Sequence, residues 1–224
     1  MNFLSHFYFD QNQDNSNLII GTILPDLVKN AHKAWNFYPQ KNEAIFAGNQ
    51  TQEAILFGWK RHLQVDLIFH SSSFFEEKTQ QLKHLLLPIL QNSPVRPSFL
   101  AHIGIELLLD CLLIEHHKID INSFYENLEK ADPIELENFL VKCGMDDKAL
   151  FFKFFNGFKS SRYLFSYQKL ENISYALQRI CMRLWEHPFN EKTVSELTLR
   201  LEIYKKKLEV DFMAIFEEIE NRLT

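Results

Sequence analysis

Trp59–His70 reads WKRHLQVDLIFH and carries His62, Asp66 and His70, each four residues from the next. At 3.6 residues per turn, that spacing keeps three side chains on one face of a helix, drifting slowly around it. The stretch therefore predicts a helix that presents imidazole, carboxylate and imidazole in a row. A second stretch, HIGIELLLDC from His102 to Cys111, repeats the arrangement with His102, Glu106 and Asp110. Two helices with matching stripes of ligand-type side chains organise the reading of the whole chain.

Neutral imidazole nitrogen and carboxylate oxygen together suit divalent ions such as Zn, Mn or Fe. Asp66 sits between Val65 and Leu67–Phe69, and Asp110 between Leu109 and Cys111–Ile114. A carboxylate in so apolar a helix is costly unless it is paired or metal-bound. Buried salt bridges satisfy the same requirement, for example His62 to Asp66, or Lys60 and Arg61 to nearby acids. Both readings stay open at this point.

Working outward, the apolar steps predict further helices. Gln50 to about Ser71 contains the first stripe, and Phe74–Leu90 follows it. Phe99 to about His117 holds the second stripe and is apolar almost all round, so it belongs in the middle of the fold. Ser98 is its candidate N-cap. Upstream, Asn2–Phe9 is short and aromatic with His6 at its centre, which is either a ligand or a core residue. Ser16 or Asn17 can cap a helix through LIIGTILPDLVKN, which Pro25 should end or kink beside Asp26. Asp26 is then a ligand at irregular backbone or the cap of a following turn. Ala31–Asn49 reads as loop with a helical turn.

Downstream, Asn122–Lys130 and Pro133–Cys143 predict two amphipathic helices, with Pro133 in a first turn and Gly144 as a stop. Asp146–Phe158 is a Phe-rich helix, before a polar turn with Lys159 and Arg162. Gln168–Trp185 is helical, and Lys192–Leu223 reads as one long helix with a charged outer face. That helix either docks on the domain or pairs with a second subunit in a homodimer. There is no alternating strand pattern and no linker. The expectation is an all-α fold in a single helical domain, 1–224, ending in a long C-terminal helix.

Composition bounds the function. Apolar residues are 46 % of 224, with 21 Phe but only 6 Gly and 7 Pro, against a turn-rich β fold. A formal charge of -5 gives no support to nucleic-acid binding. Cys111, Cys143 and Cys181 form no CxxC pair and read as buried thiols in a reducing cytoplasm. No run of eighteen apolar residues is present, so no membrane span is expected. GxSxG and GxxxxGK[ST] do not occur, which favours metal-activated water over covalent catalysis. A di-iron oxidase wants paired Glu-x-x-His motifs, and there are none.

Several segments in order resemble the acyl carrier protein phosphodiesterase family. MNFLSHFYF is similar to its MNFLAHLHL start, GTILPDLVKN to its GNLLADFVRG, and HLQVD at His62–Asp66 to its HRRID. LLLDCLLIEH at Leu107–His116 resembles its MWDHFLSRHW, and FFNGFKSSR at Phe154–Arg162 its LNGMANRR. The match spans about residues 1–185, leaving 186–224 as a C-terminal helical extension. It departs from the family where HLQVD lacks the two arginines and where His70 replaces an acidic residue.

The resemblance implies a helical bundle similar to HD-domain metal phosphohydrolases. It also implies a metal-dependent phosphodiesterase that releases 4′-phosphopantetheine from a carrier-protein serine. On this reading His6, Asp26, His62, Asp66, His70, His102 and Asp110 are the metal-ligand candidates, for Mn, Fe, Zn or Mg. Asp66 or Glu106 accepts the proton of the attacking water. Lys159 and Arg162 hold phosphate, or are a solvated basic turn. An acidic acyl carrier protein would dock on Lys29, Lys33, Lys60, Arg61, Lys159 and Arg162. The rival readings are another metal-dependent phosphodiesterase, a phospholipase-like hydrolase, and a non-catalytic helical interaction protein.

Overall fold

The computed structural model describes residues 1–223, and among them every regular element is helical. The all-α expectation holds. The chain groups into two compact units: Phe3–Asp66 with Ile119–Leu164, and Met1–Asn2 with Leu67–Lys118 and the chain from Phe165 onward. Helix α3 (Gln50–His70) supplies residues to both.

The first unit begins with α1 (Phe3–Tyr8), whose Phe3, Leu4, His6 and Phe7 are all buried. Helix α2 (Ser16–Ala31) is capped by Asn15, one residue before the expected cap, with its side chain accepting from the Asn17 and Leu18 amides. Pro25 does not end it. Proline removes the N–H that would reach the Gly21 carbonyl and its ring crowds that carbonyl, yet the helix runs on to Ala31. Ala31–Asn49 holds two short 3-10 turns, Pro39–Lys41 and Glu43–Phe46.

Glycine matters most where α2 crosses α3. A Cβ on Gly58 would lie 2.1 Å from the Leu18 carbonyl oxygen, and one on Gly21 would lie 2.3 Å from that of Ile55. The two backbones therefore touch, and this contact brings the Thr22–Asp26 face of α2 against the His62–Asp66 face of α3. Packed on α2 are α6 (Ile121–Lys130) and α8 (Lys148–Ser161). Aromatic contacts fill the space between, with Phe7 edge-on to Phe124 at 5.3 Å and Phe3 against Phe158 at 5.0 Å.

Helix α7 (Pro133–Lys142) starts on the Asp132 cap with Pro133 in its first turn and stops as expected at Gly144. Gly144 has φ +93°, and the Met145 amide bonds back to the Leu140 carbonyl at 3.0 Å. The expected polar turn at 159–161 is instead the last turn of α8, and Arg162 follows in the left-handed region at φ 46°.

The second unit is built on α5 (Pro97–Glu115), flanked by α4 (Ser73–Leu86) and α9 (Leu170–Cys181). Leu100, Ile105, Leu108, Leu109, Leu112 and Leu113 are fully buried, each stabilising by roughly 1.5–3 kcal/mol. Residue 97 is the proline at its first position, and Arg96 rather than Ser98 stands at its N-cap. By length and composition alone α5 could cross a membrane, but 67 % of its apolar window is buried as the core of its unit.

The C-terminal segment is two helices rather than one, α10 (Glu191–Leu208) and α11 (Met213–Arg222). Between them Asp211 bonds back to Leu208 and Ala214 to Asp211, a tightened three-residue step. Asp211 at this step pairs with Lys78 of α4 at 2.6 Å. Helix α10 packs on α9 and α4 of its own chain through Leu197, Leu201, Tyr204 and Leu208.

Candidate metal centre

In the first unit His62 is almost wholly buried, and its Nδ1 lies 2.8 Å from the Thr22 carbonyl oxygen. That nitrogen donates, so in the neutral ring Nε2 carries the lone pair. An imidazole fixed in this way by a backbone carbonyl is a common support for a metal-ligating histidine. Nε2 faces two carboxylates, Asp66 Oδ2 at 3.4 Å and Asp26 Oδ1 at 3.9 Å.

His6 of α1 lies against the same group. Its ring stacks on that of His62, centroids 3.9 Å apart and 18° from parallel, and its Nε2 is 3.3 Å from Asp66 Oδ1. Both His6 ring nitrogens are buried without a well-formed hydrogen bond, although Nε2 keeps its contact to Asp66. Two nitrogen or oxygen ligands on one tetrahedral ion at ordinary bond lengths stand about 3.3 Å apart. The separations at Asp66 match that figure, and one ligand atom from each of His6, His62 and Asp66 falls within 4.8 Å of the others. These residues fit a divalent cation.

The electrostatics agree. Burial, and then the neighbouring His62, push the His6 pKa down to about 3, so the ring is neutral and one nitrogen keeps its lone pair. Burial alone would raise the Asp66 carboxyl, but bonds from His6 and His62 reverse this and hold it far below the carboxylate range. At His62 burial works downward, and Asp26 and Asp66 outweigh it to raise the pKa. The cluster is thus an anionic hollow with two imidazoles, which attracts positive charge.

In the second unit His70, His102 and Glu106 make another ligand-type group. Glu106 Oε1 is 3.2 Å from His102 Nε2, 3.7 Å from His70 Nε2 and 3.4 Å from the amino nitrogen of Met1. The two rings stack at 4.9 Å, and both meet the edge of Phe75. Burial would raise the Glu106 carboxyl, but the amino group and His102 bring it down to about 2. This group is more open, with side-chain exposures of 33 % for His70 and 43 % for His102. His102 and Glu106 line a cleft of about 710 Å³ together with Arg96, Phe99 and Trp185.

Asp110 joins neither group. It is fully buried and accepts a hydrogen bond from Asn2 Nδ2 at 2.7 Å. The carboxylate that looked costly in an apolar helix is satisfied by an amide. Lys159 pairs with Glu129 at 2.9 Å, while Arg162 donates to Asn122 at 3.1 Å and stacks over Tyr125. The small pocket they share, about 260 Å³, is also lined by Glu126 and Glu129. Those acids offset the two cations offered to a phosphate.

Sequence reasoning missed Thr22. It acts through its backbone carbonyl, which no side-chain pattern reveals, although its place one turn before Asp26 was legible. No protein-family model, curated protein or solved structure matches the chain.

Proposed function

We propose that the chain is a metal-dependent phosphohydrolase whose cation is held by His6, His62 and Asp66, with Asp26 beside them. The observation that carries the metal reading is the buried imidazole of His6 stacked on that of His62, both rings facing the one carboxylate of Asp66. A buried ring nitrogen without a well-formed partner costs about 1–3 kcal/mol, which a cation coordinated at that nitrogen would offset. A divalent ion bound there would polarise a phosphoryl oxygen and lower the pKa of its water towards about 7.

The chain's own residues then divide the work. Thr22 fixes the His62 tautomer and aims Nε2. Asp66 stays ionised and supplies charge between the two imidazoles. Asp26, one-third exposed and 3.9 Å from His62, is the carboxylate best placed to take a proton. Glu106 suits a charge-holding role better than a general base, because its carboxyl lies near 2.

The phosphodiester class rests on the ordered resemblance of residues 1–185 and on the donor set. A carrier-protein substrate has weaker support. Of its basic docking residues, Lys60 is paired with Glu43, Lys159 with Glu129 and Arg61 with Asp10. The test is metal content and hydrolysis of bis-p-nitrophenyl phosphate by the purified chain. Bound divalent metal and turnover, both lost in Asp66→Ala, support the proposal. A chain that takes up no divalent metal refutes it. A chain that binds metal without turnover is a non-catalytic metal-binding protein.

A further inference from the structure

His70, His102 and Glu106 belong wholly to the second unit, and the function proposed above uses none of them as a metal ligand. His102 and Glu106 stand one turn apart on α5, and His70 is the last residue of α3. Helix α4 fixes the two rings. Each imidazole lies T-shaped to Phe75, at 4.8 Å for His70 and 4.9 Å for His102. Held in this way, both Nε2 atoms converge on one oxygen, Glu106 Oε1, at 3.7 and 3.2 Å.

That convergence exceeds what hydrogen bonding explains. A carboxylate oxygen has about two lone-pair sites, and the Met1 amino nitrogen also lies 3.4 Å from this one. Three nitrogens therefore crowd a single oxygen that the amino group already satisfies. Two imidazoles and a carboxylate about one point are the donor set of a three-ligand zinc site, which keeps a fourth position open. Ligand atoms on one tetrahedral ion stand about 3.3 Å apart. The separations of 3.2 and 3.7 Å bracket that figure, and all three ligand atoms fall within 4.8 Å of one another. Imidazole nitrogen selects zinc-class ions over calcium and magnesium, which prefer oxygen.

The group is open to its surroundings. The side chains of His70, His102 and Glu106 are 33 %, 43 % and 15 % exposed, so an ion reaches them from solvent without the unit opening. His102 and Glu106 also line the cleft of about 710 Å³, which has room for a water or another donor on a bound ion. We propose that His70, His102 and Glu106 form an exchangeable site for a zinc-class divalent ion on the wall of this cleft. Its exposure means that the ion is gained on titration and lost on dialysis, unlike one held by the buried His6 and His62. The proposal does not rest on the phosphohydrolase reading, because it concerns other residues and binding alone.

The test is calorimetric titration of the Asp66→Ala chain with zinc, after stripping with chelator and dialysis, so that the first unit's cluster does not contribute. Uptake should saturate at one equivalent. Adding His102→Ala or His70→Ala should weaken it by at least about 100-fold, more than the loss of an outer partner costs. His84→Ala, exposed in the last turn of α4 and in neither ligand group, should change nothing. In the otherwise unaltered chain His102→Ala should remove one equivalent at saturation, so an Asp66→Ala protein that fails to fold does not remove the test. No saturable zinc uptake overturns the proposal, and so does uptake that survives both histidine changes. Excess calcium should leave zinc bound. Displacement by calcium would mark an acidic patch without imidazole coordination and overturn it too. Retained metal and turnover in the unaltered chain test the phosphohydrolase reading separately, and their absence leaves this result standing.

Discussion

His62 donates its Nδ1–H to the Thr22 carbonyl across 2.8 Å, and the two helices that carry them touch backbone to backbone beside that bond, at Gly21 and Gly58. The hydrogen bond needs this close approach. Gly58→Ala would put a Cβ 2.1 Å from the Leu18 carbonyl oxygen and 2.8 Å from Gly21 Cα. Neither backbone atom can move aside without parting α2 from α3. The expected cost is about 1–3 kcal/mol of stability or more, with divalent-metal affinity falling alongside. Gly157→Ala is the control: in α8 a Cβ meets nothing within 4 Å, so that change should stabilise by roughly 0.5–1 kcal/mol. Urea unfolding of both variants checks the pair.

The metal ligands are separable by substitution. Asp66→Asn removes the carboxylate charge that His6 and His62 share. It should weaken divalent-metal binding by at least about 100-fold, beyond the range seen when an outer partner is lost. Asp110→Asn should leave metal affinity unchanged, because Asp110 bonds to Asn2 and joins neither ligand group. Metal titration followed by mass-spectrometric metal analysis reads both. With metal at about 100 times its dissociation constant, chelation should lower stability by about 2.7 kcal/mol. An Asp110→Asn protein that loses metal while Asp66→Asn keeps it would reverse the assignment.

The ligand stripes were legible because spacing of four is a direct consequence of helical pitch. His62–Asp66 and His102–Glu106 do meet, at 3.4 and 3.2 Å. What joins these pairs to a third residue was not legible, since it depends on how helices cross. His6 comes from α1, and His70 turns to Glu106. Asp110 shows the limit of the argument from burial cost: an asparagine satisfies it as well as a cation does. The break after α10 was hidden for another reason. Leu197, Leu201, Tyr204, Leu208, Phe212, Ile215 and Ile219 keep a helical rhythm straight through it, and no Gly or Pro marks it.

That break is held by one ion pair. Lys78 is buried to within 10 % and meets Asp211 at 2.6 Å, while Tyr204 donates its hydroxyl to the Lys78 carbonyl at 2.9 Å. Asp211→Asn leaves the ammonium with a weaker partner. Asp211 is itself half exposed, so water compensates in part and the loss should be about 1 kcal/mol. Raising the salt concentration should narrow the gap between wild type and variant only slightly, because Lys78 is shielded. Thermal unfolding at two ionic strengths measures it, and a gap that closes fully at high salt would mean a solvent-screened pair.

The buried cysteines weaken the fold at alkaline pH. Burial pushes the Cys111 thiol up to about 11, and the Cys143 and Cys181 thiols up to about 12, from an ordinary value near 9. Above pH 9 the unfolded chain releases these protons while the folded chain keeps them. Fewer protons are then bound in the unfolded state, so stability falls as pH rises from 9 through 11. Each group contributes up to about 1.4 kcal/mol per pH unit in that window, and nothing below it. The triple Cys→Ala variant should lose much of this slope, whatever its absolute stability. In the native protein at pH 8 all three thiols should react slowly with a disulfide reagent and quickly after guanidinium unfolding. Urea unfolding at stepped pH and the thiol reaction rates are the measurements. A native thiol that reacts at the unfolded rate would show that burial does not hold it protonated.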